Sequence, residues 1–135
     1  MNIGLKTFTA HMFQQNQQQQ QQQRQELIRN NYNEIYSHEL AHKTAGGSFA
    51  GAIVIEKNSD GIPVGGHVSI KMPTLDRQNP QKTIDHANTV IRSAMAPSDP
   101  SEQDYRVAAQ AQQIKNLALR LKNSSTFGNK LDVQA

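Results

Sequence analysis

The stretch QELIRNNYNEIYSHELAHKTAGG, residues 25–47, decides how the rest of the chain is read. Ile28, Tyr32 and Ile35 recur at spacings of four and three, which marks one apolar stripe on a helix. No proline or glycine interrupts the stretch before Gly46-Gly47. Glycine takes the left-handed cap conformation readily, so the pair predicts the helix end. The last two turns then hold His38-Glu39-Leu40-Ala41-His42, an H-E-x-x-H pattern. Helical residues four apart share a face, so both imidazoles can reach one metal ion. Glu39 between them is placed to take a proton from a metal-bound water. The carbonyl end of a helix carries partial negative charge, which favours a nearby cation.

Downstream, residues 48–72 read as a β-hairpin. Ala52-Ile53-Val54-Ile55-Glu56 is apolar and β-branched, Asn58-Ser59-Asp60-Gly61 is a turn signal, and Val64 to Ile70 is the return strand. With period two, Val64, Val68 and Ile70 face one side, and His67, Ser69 and Lys71 the other. Gly65-Gly66 predicts a bulge or a close backbone approach beside His67. Asn79-Pro80 opens a second helix with a stripe of Ile84, Ala87, Ile91 and Ala94, ending near Ala96-Pro97. Asp99, Pro100 and Glu102 fit the N-cap, N1 and N3 positions of a third helix. Its stripe is Val107, Ala111, Ile114, Ala118 and Leu121.

Upstream, residues 14–25 are almost all glutamine and run without a breaker into the motif helix. Residues 1–24 are therefore a Gln-rich leader, either flexible or helical. Residues 25–123 are expected to form a single domain, and 124–135 a flexible tail. The expected fold is α+β: a long N-terminal helix carrying the motif, a β-hairpin, then two antiparallel C-terminal helices.

Composition narrows the function. The 135 residues contain no cysteine, so disulfides and thiolate metal sites are excluded, and any metal must use His, Asp or Glu. The net charge is +3, but the 14 Lys and Arg are scattered, and Tyr and Phe number only three and four. That is neither the basic stripe nor the aromatic stacking of a nucleic-acid reader. No apolar run approaches the ~20 residues of a membrane span, and the N-terminus makes a poor secretory signal. A cytoplasmic protein is expected.

Catalytic zinc takes three protein ligands and a water. His38 and His42 supply two. Ala45 and Ser48 stand where an extended metzincin motif needs glycine and histidine. His67, 25 residues beyond His42, is the expected third ligand, because a strand after a short Gly turn can return to the helix end. Asp85 and His86 are the runners-up. Asp99 and Asp104 rank below them, since helix capping and surface solvation explain both more simply. Tyr36 and Tyr105 are packing residues that would act on a substrate only if one reached the metal.

These motifs occur in a familiar order. His38-Glu-Leu-Ala-His42-Lys-Thr-Ala-Gly46-Gly47, Asp60-Gly61-Ile-Pro-Val-Gly65-Gly66, Thr83-Ile84, Ala96-Pro97-Ser98-Asp99-Pro100-Ser101-Glu-Gln103-Asp104 and Val107-Ala108-Ala109-Gln110-Ala111 together resemble the SprA-related family of candidate bacterial metalloproteases. The resemblance covers about residues 34–122 and leaves the leader and tail outside. It implies metal ligands at His38 and His42 and a general base at Glu39. The family usually has glutamate after the Gly-Gly and an aspartate a few residues on. Here His67 and Lys71 stand instead. His67 keeps a plausible zinc ligand, whereas Lys71 brings a cation toward the site.

Two functions are consistent with this pattern. One is a zinc-dependent peptidase in which His38, His42 and His67 bind Zn²⁺ and Glu39 activates water on a peptide or protein substrate. The other is a non-catalytic interaction or scaffolding module, metal-stabilised or metal-free. A closed four-ligand site completed by Asp85 or His86 would mark it.

Overall fold

The computed structural model describes residues 3–134, with side chains described for residues 4–124. Helix α1 spans Ile3–Gly46 and is followed by a 3-10 turn at Gly47–Phe49. Strands β1 (Ala50–Lys57) and β2 (Pro63–Ile70) come next, then helices α2 (Pro80–Ala94) and α3 (Glu102–Gln134). This is the expected α+β order. Among the described residues, no helix is long and apolar enough to cross a membrane. Met1, Asn2 and Ala135, parts of the expected leader and tail, lie outside the described residues.

The chain divides into two compact units, Met1–Ile35 with Ile55–Gly65, and Tyr36–Val54 with Gly66–Ala135. In the first unit the hairpin tip is tied to the middle of α1. Arg24 donates to the Asp60 carbonyl, and Asn31 Nδ2 donates to the Pro63 carbonyl at 3.0 Å. Asn31, half-buried, therefore joins Ile28 and Ile35 on the inner face, and Tyr32 is exposed. The expected stripe places Tyr32 there instead. A polar side chain that satisfies a strand carbonyl competes with an aromatic one for the inner position. At the tip, Asn58 Oδ1 accepts the N–H groups of Asp60 and Ile62, and Gly61 takes φ 76°. A three-residue loop with glycine in the left-handed region is a common way to close a hairpin.

The two strands are the whole sheet. A connection this short makes them antiparallel. Asn58 pairs with Ile62 at the tip and Lys71 with Phe49 at the base, at 2.9 Å each. The pairing offset is the same at both ends, so Gly65-Gly66 inserts no net residue and makes no bulge. A bulge would have shifted the offset by one.

In the second unit the core lies between α2 and α3. Ile84, Ala87, Val90 and Ala94 are buried there, as are Ala111 and Ala118. Alanine at the contact lets the two helices approach closely. Lys122 Nζ, far along α3, reaches Gln81 Oε1 at the start of α2 at 2.5 Å, as antiparallel helices require. Six small or medium side chains form a modest core, so other interactions matter to stability. Thr83 Oγ1 donates to the Thr74 carbonyl and accepts the Asp76 N–H, which fixes the loop before α2.

Three boundaries differ from expectation. First, α2 ends at Ala94. Second, α3 is capped by Ser101 rather than Asp99. Ser101 Oγ accepts the Asp104 N–H at 3.1 Å, and Asp104 Oδ2 accepts the Ser101 N–H at 2.8 Å. The reciprocal pair is a capping box moved two residues along, past the proline, which has no N–H to offer. Third, α3 continues through Gln134 rather than stopping near Asn123. Within that extension Gly128 is the only residue of strongly unfavourable helix propensity, and one glycine costs only about 1 kcal/mol.

Candidate metal centre

His38 and His42 lie one turn apart on the last part of α1, as the motif spacing requires. Their rings meet edge to face, with centroids 4.9 Å apart. The two Nε2 atoms are 3.2 Å apart, and Asp104 Oδ2 is 3.2 Å from each. Asp104 is held there by the capping box, because it is the N3 residue of α3 and its Oδ2 receives the Ser101 amide. His38, His42 and Asp104 are the one group among the described residues whose ligand atoms all lie within 4.8 Å of one another.

The donor set fits a cation. A backbone carbonyl can only accept, and His42 Nδ1 lies 2.7 Å from the Ser93 carbonyl oxygen, so Nδ1 carries a proton. In the neutral ring Nε2 then presents its lone pair to His38 and Asp104. Lone pairs and a carboxylate converging at 3.2 Å repel one another unless a proton or a metal ion lies among them. Donors ~2.0–2.1 Å from a tetrahedral ion stand about 3.3–3.4 Å apart. The observed edges come within ~0.2 Å of that spacing.

The support behind His42 is tightly built. Ser93, fully buried on α2, also donates its Oγ–H to the His42 carbonyl at 2.7 Å. Gly46 makes this approach possible. A β-carbon there would stand 3.0 Å from both Ser93 Oγ and Ala50 Cβ, and 3.1 Å from Ile70 Cδ1.

Glu39 is buried beside the pair. Burial pushes its carboxyl above the ordinary 4.5. His42 and His38 pull it back, Asp104 pushes it up again, and His67 lowers it slightly. The three donors and Glu39 line a cavity of about 370 Å³, whose wall also includes His67, Ser101, Gln103 and Gln110.

The expected third ligand, His67, therefore lies on the same cavity and within electrostatic reach of Glu39, but outside the three-donor cluster. Asp104 occupies the cluster instead. Asp85 and His86 line a different cavity, of about 590 Å³, together with Lys71. There His86 stacks on Phe49 with centroids 3.7 Å apart and reaches the Lys71 carbonyl at 2.7 Å, and Asp85 accepts from Gln81. The larger cavity contains none of the clustered donors. Lys71 thus belongs to its wall rather than to that of the cavity holding the His38, His42 and Asp104 cluster. Tyr36 and Tyr105 are exposed and line neither cavity.

Asp104 ranks low in the sequence because capping and solvation explain it more simply, and the cap itself is assigned there to Asp99. Ser101-x-x-Asp104 is itself a capping pattern, and that frame would have put the carboxylate at a fixed place on the first turn.

No curated protein and no solved structure matches the chain. The SprA-related family model matches residues 6–125. The match takes in most of the Gln-rich leader, which the motifs alone placed outside the resemblance. With nearly its whole length matched, the chain belongs to the SprA-related family.

Proposed function

We propose that the chain is a zinc-dependent hydrolase of peptide bonds, with His38, His42 and Asp104 as metal ligands and Glu39 as general base. The observation that carries this reading is the triangle of 3.2 Å edges beside a buried carboxylate. When bound, zinc supplies a water of lowered pKa and polarises a carbonyl. The protein's residues do the rest. The Ser93 carbonyl holds the His42 ring in the tautomer whose Nε2 can ligate. The Ser101 amide holds the Asp104 carboxylate. Glu39 accepts the proton of the attacking water and returns it to the leaving nitrogen, a role that a carboxyl with a raised pKa suits. Three protein donors rather than four is the ligand count of catalytic zinc.

The test has two stages. Zinc is expected to bind at one ion per chain and to raise the melting temperature of the metal-free protein. His38→Ala and Asp104→Ala should abolish both effects. Glu39→Gln should keep the metal and lose cleavage of an unfolded protein such as denatured casein. Absence of binding would overturn the metal centre. Binding without cleavage in the wild-type protein would favour a metal-stabilised interaction module.

A further inference from the structure

Every residue from Gly4 to Leu27 on α1 is exposed, and five of them, Leu5, Phe8, Met12, Phe13 and Leu27, are large and apolar. Leu5, Phe8, Met12 and Phe13 are 47–68% exposed. At 100° per residue, Leu5, Phe8 and Met12 fall within an arc of about 60°, with Phe13 about 80° from Leu5. Helices in water owe most of their stability to a packed apolar face, and the apolar side chains of residues 5–13 stay exposed. The metal centre neither uses nor explains it.

We propose that residues 5–23 of two copies of this chain pair side by side, in parallel, as a two-stranded helical seam. Three observations favour a second copy over a different partner. From Thr7 to Gln23 there is no Asp, Glu, Lys or Arg, so nothing selects a partner by charge and nothing repels an identical chain. Residues 14–23 are glutamine except for Asn16. A side-chain amide is both donor and acceptor, so a glutamine surface is complementary to itself. Positions 5, 8, 12, 15, 19 and 22 alternate by three and four, so one seam runs from the apolar end through Gln15, Gln19 and Gln22. The parallel direction follows from where the apolar residues stand. Leu5, Phe8 and Met12 are all at one end, and an antiparallel pair would lay them on glutamines.

The experiment uses the full chain. Its sedimentation is expected to show mass rising with concentration toward two chains, twice 15.0 kDa. The Phe8→Glu/Met12→Glu variant should sediment as one chain, with its helix content kept because glutamate suits a helix. A wild-type mass of one chain at about 0.5 mM, or a variant that associates as the wild type does, overturns the proposal. The absence of cysteine supplies a second test that leaves the apolar face intact. Gln19→Cys places one thiol on the seam, and Gln17→Cys places one on the opposite side of the helix. Under mild oxidation the first should cross-link into a covalent dimer several-fold faster than the second. Equal rates overturn the parallel pairing.

Discussion

His42 and Ser93 exchange two hydrogen bonds across the second unit. The imidazole Nδ1–H reaches the Ser93 carbonyl, and the Ser93 hydroxyl reaches the His42 carbonyl, both at 2.7 Å. One contact aims the ring and the other ties the end of α1 to α2. A histidine of the donor cluster is thus anchored by the same residue that joins the two helices.

Ser93→Ala separates these roles. It removes the hydroxyl bond and leaves the carbonyl that aims His42. Stability should fall by roughly 0.5–1.5 kcal/mol, and zinc affinity should fall less than tenfold. Thermal melting of the metal-free protein and a competitive zinc titration measure the two effects.

Gly46→Ala should be more damaging. Its added methyl meets Ser93 Oγ and Ala50 Cβ at 3.0 Å, and both are held in place. Overpacking of this kind costs about 1–3 kcal/mol, and the displaced Ser93 carbonyl should also weaken zinc binding. If melting is unchanged, the close packing around Gly46 has been misjudged.

Asp104 caps a helix and completes the donor triangle, and paired variants distinguish the two jobs. Ser101→Ala breaks only the cap and should cost about 0.5–2 kcal/mol, with zinc still bound. Asp104→Ala should cost a similar amount and also lower zinc affinity by about 100-fold or more. Calorimetric titration with zinc would show whether the two variants differ.

Glu39→Gln should stabilise the metal-free protein. Burial raises the Glu39 pKa above 4.5, so the folded chain holds this proton more tightly than the unfolded chain. The penalty for its charge is absent below pH 4.5 and grows as pH rises from there through the folded value. The advantage of the variant should therefore appear above that range and persist to neutrality. Urea melts of both proteins at pH 4 and pH 7 provide the measurement.

Local features were the most legible. The i, i+4 pair, the Asp60-Gly61 turn and the Pro80 helix start depend on neighbours in the chain, and each appears where its spacing puts it. The third donor was harder because it lies 62 residues beyond His42 and depends on which of two overlapping capping frames closes. His67 had the more suggestive position, on a strand after two glycines. It reaches the cavity wall but not the cluster. Periodicity also cannot show that Asn31 rather than Tyr32 faces inward, because that depends on the Pro63 carbonyl, which approaches only once the hairpin has folded back.

One oxygen, Asp104 Oδ2, receives the Ser101 amide and stands between two imidazoles. Whatever positive charge occupies that space draws on the same lone pairs as the amide proton. The backbone hydrogen of Ser101, the residue that caps α3, is therefore a built-in reporter. Its exchange with solvent and its proton chemical shift should change as the centre is filled, before any substrate is known.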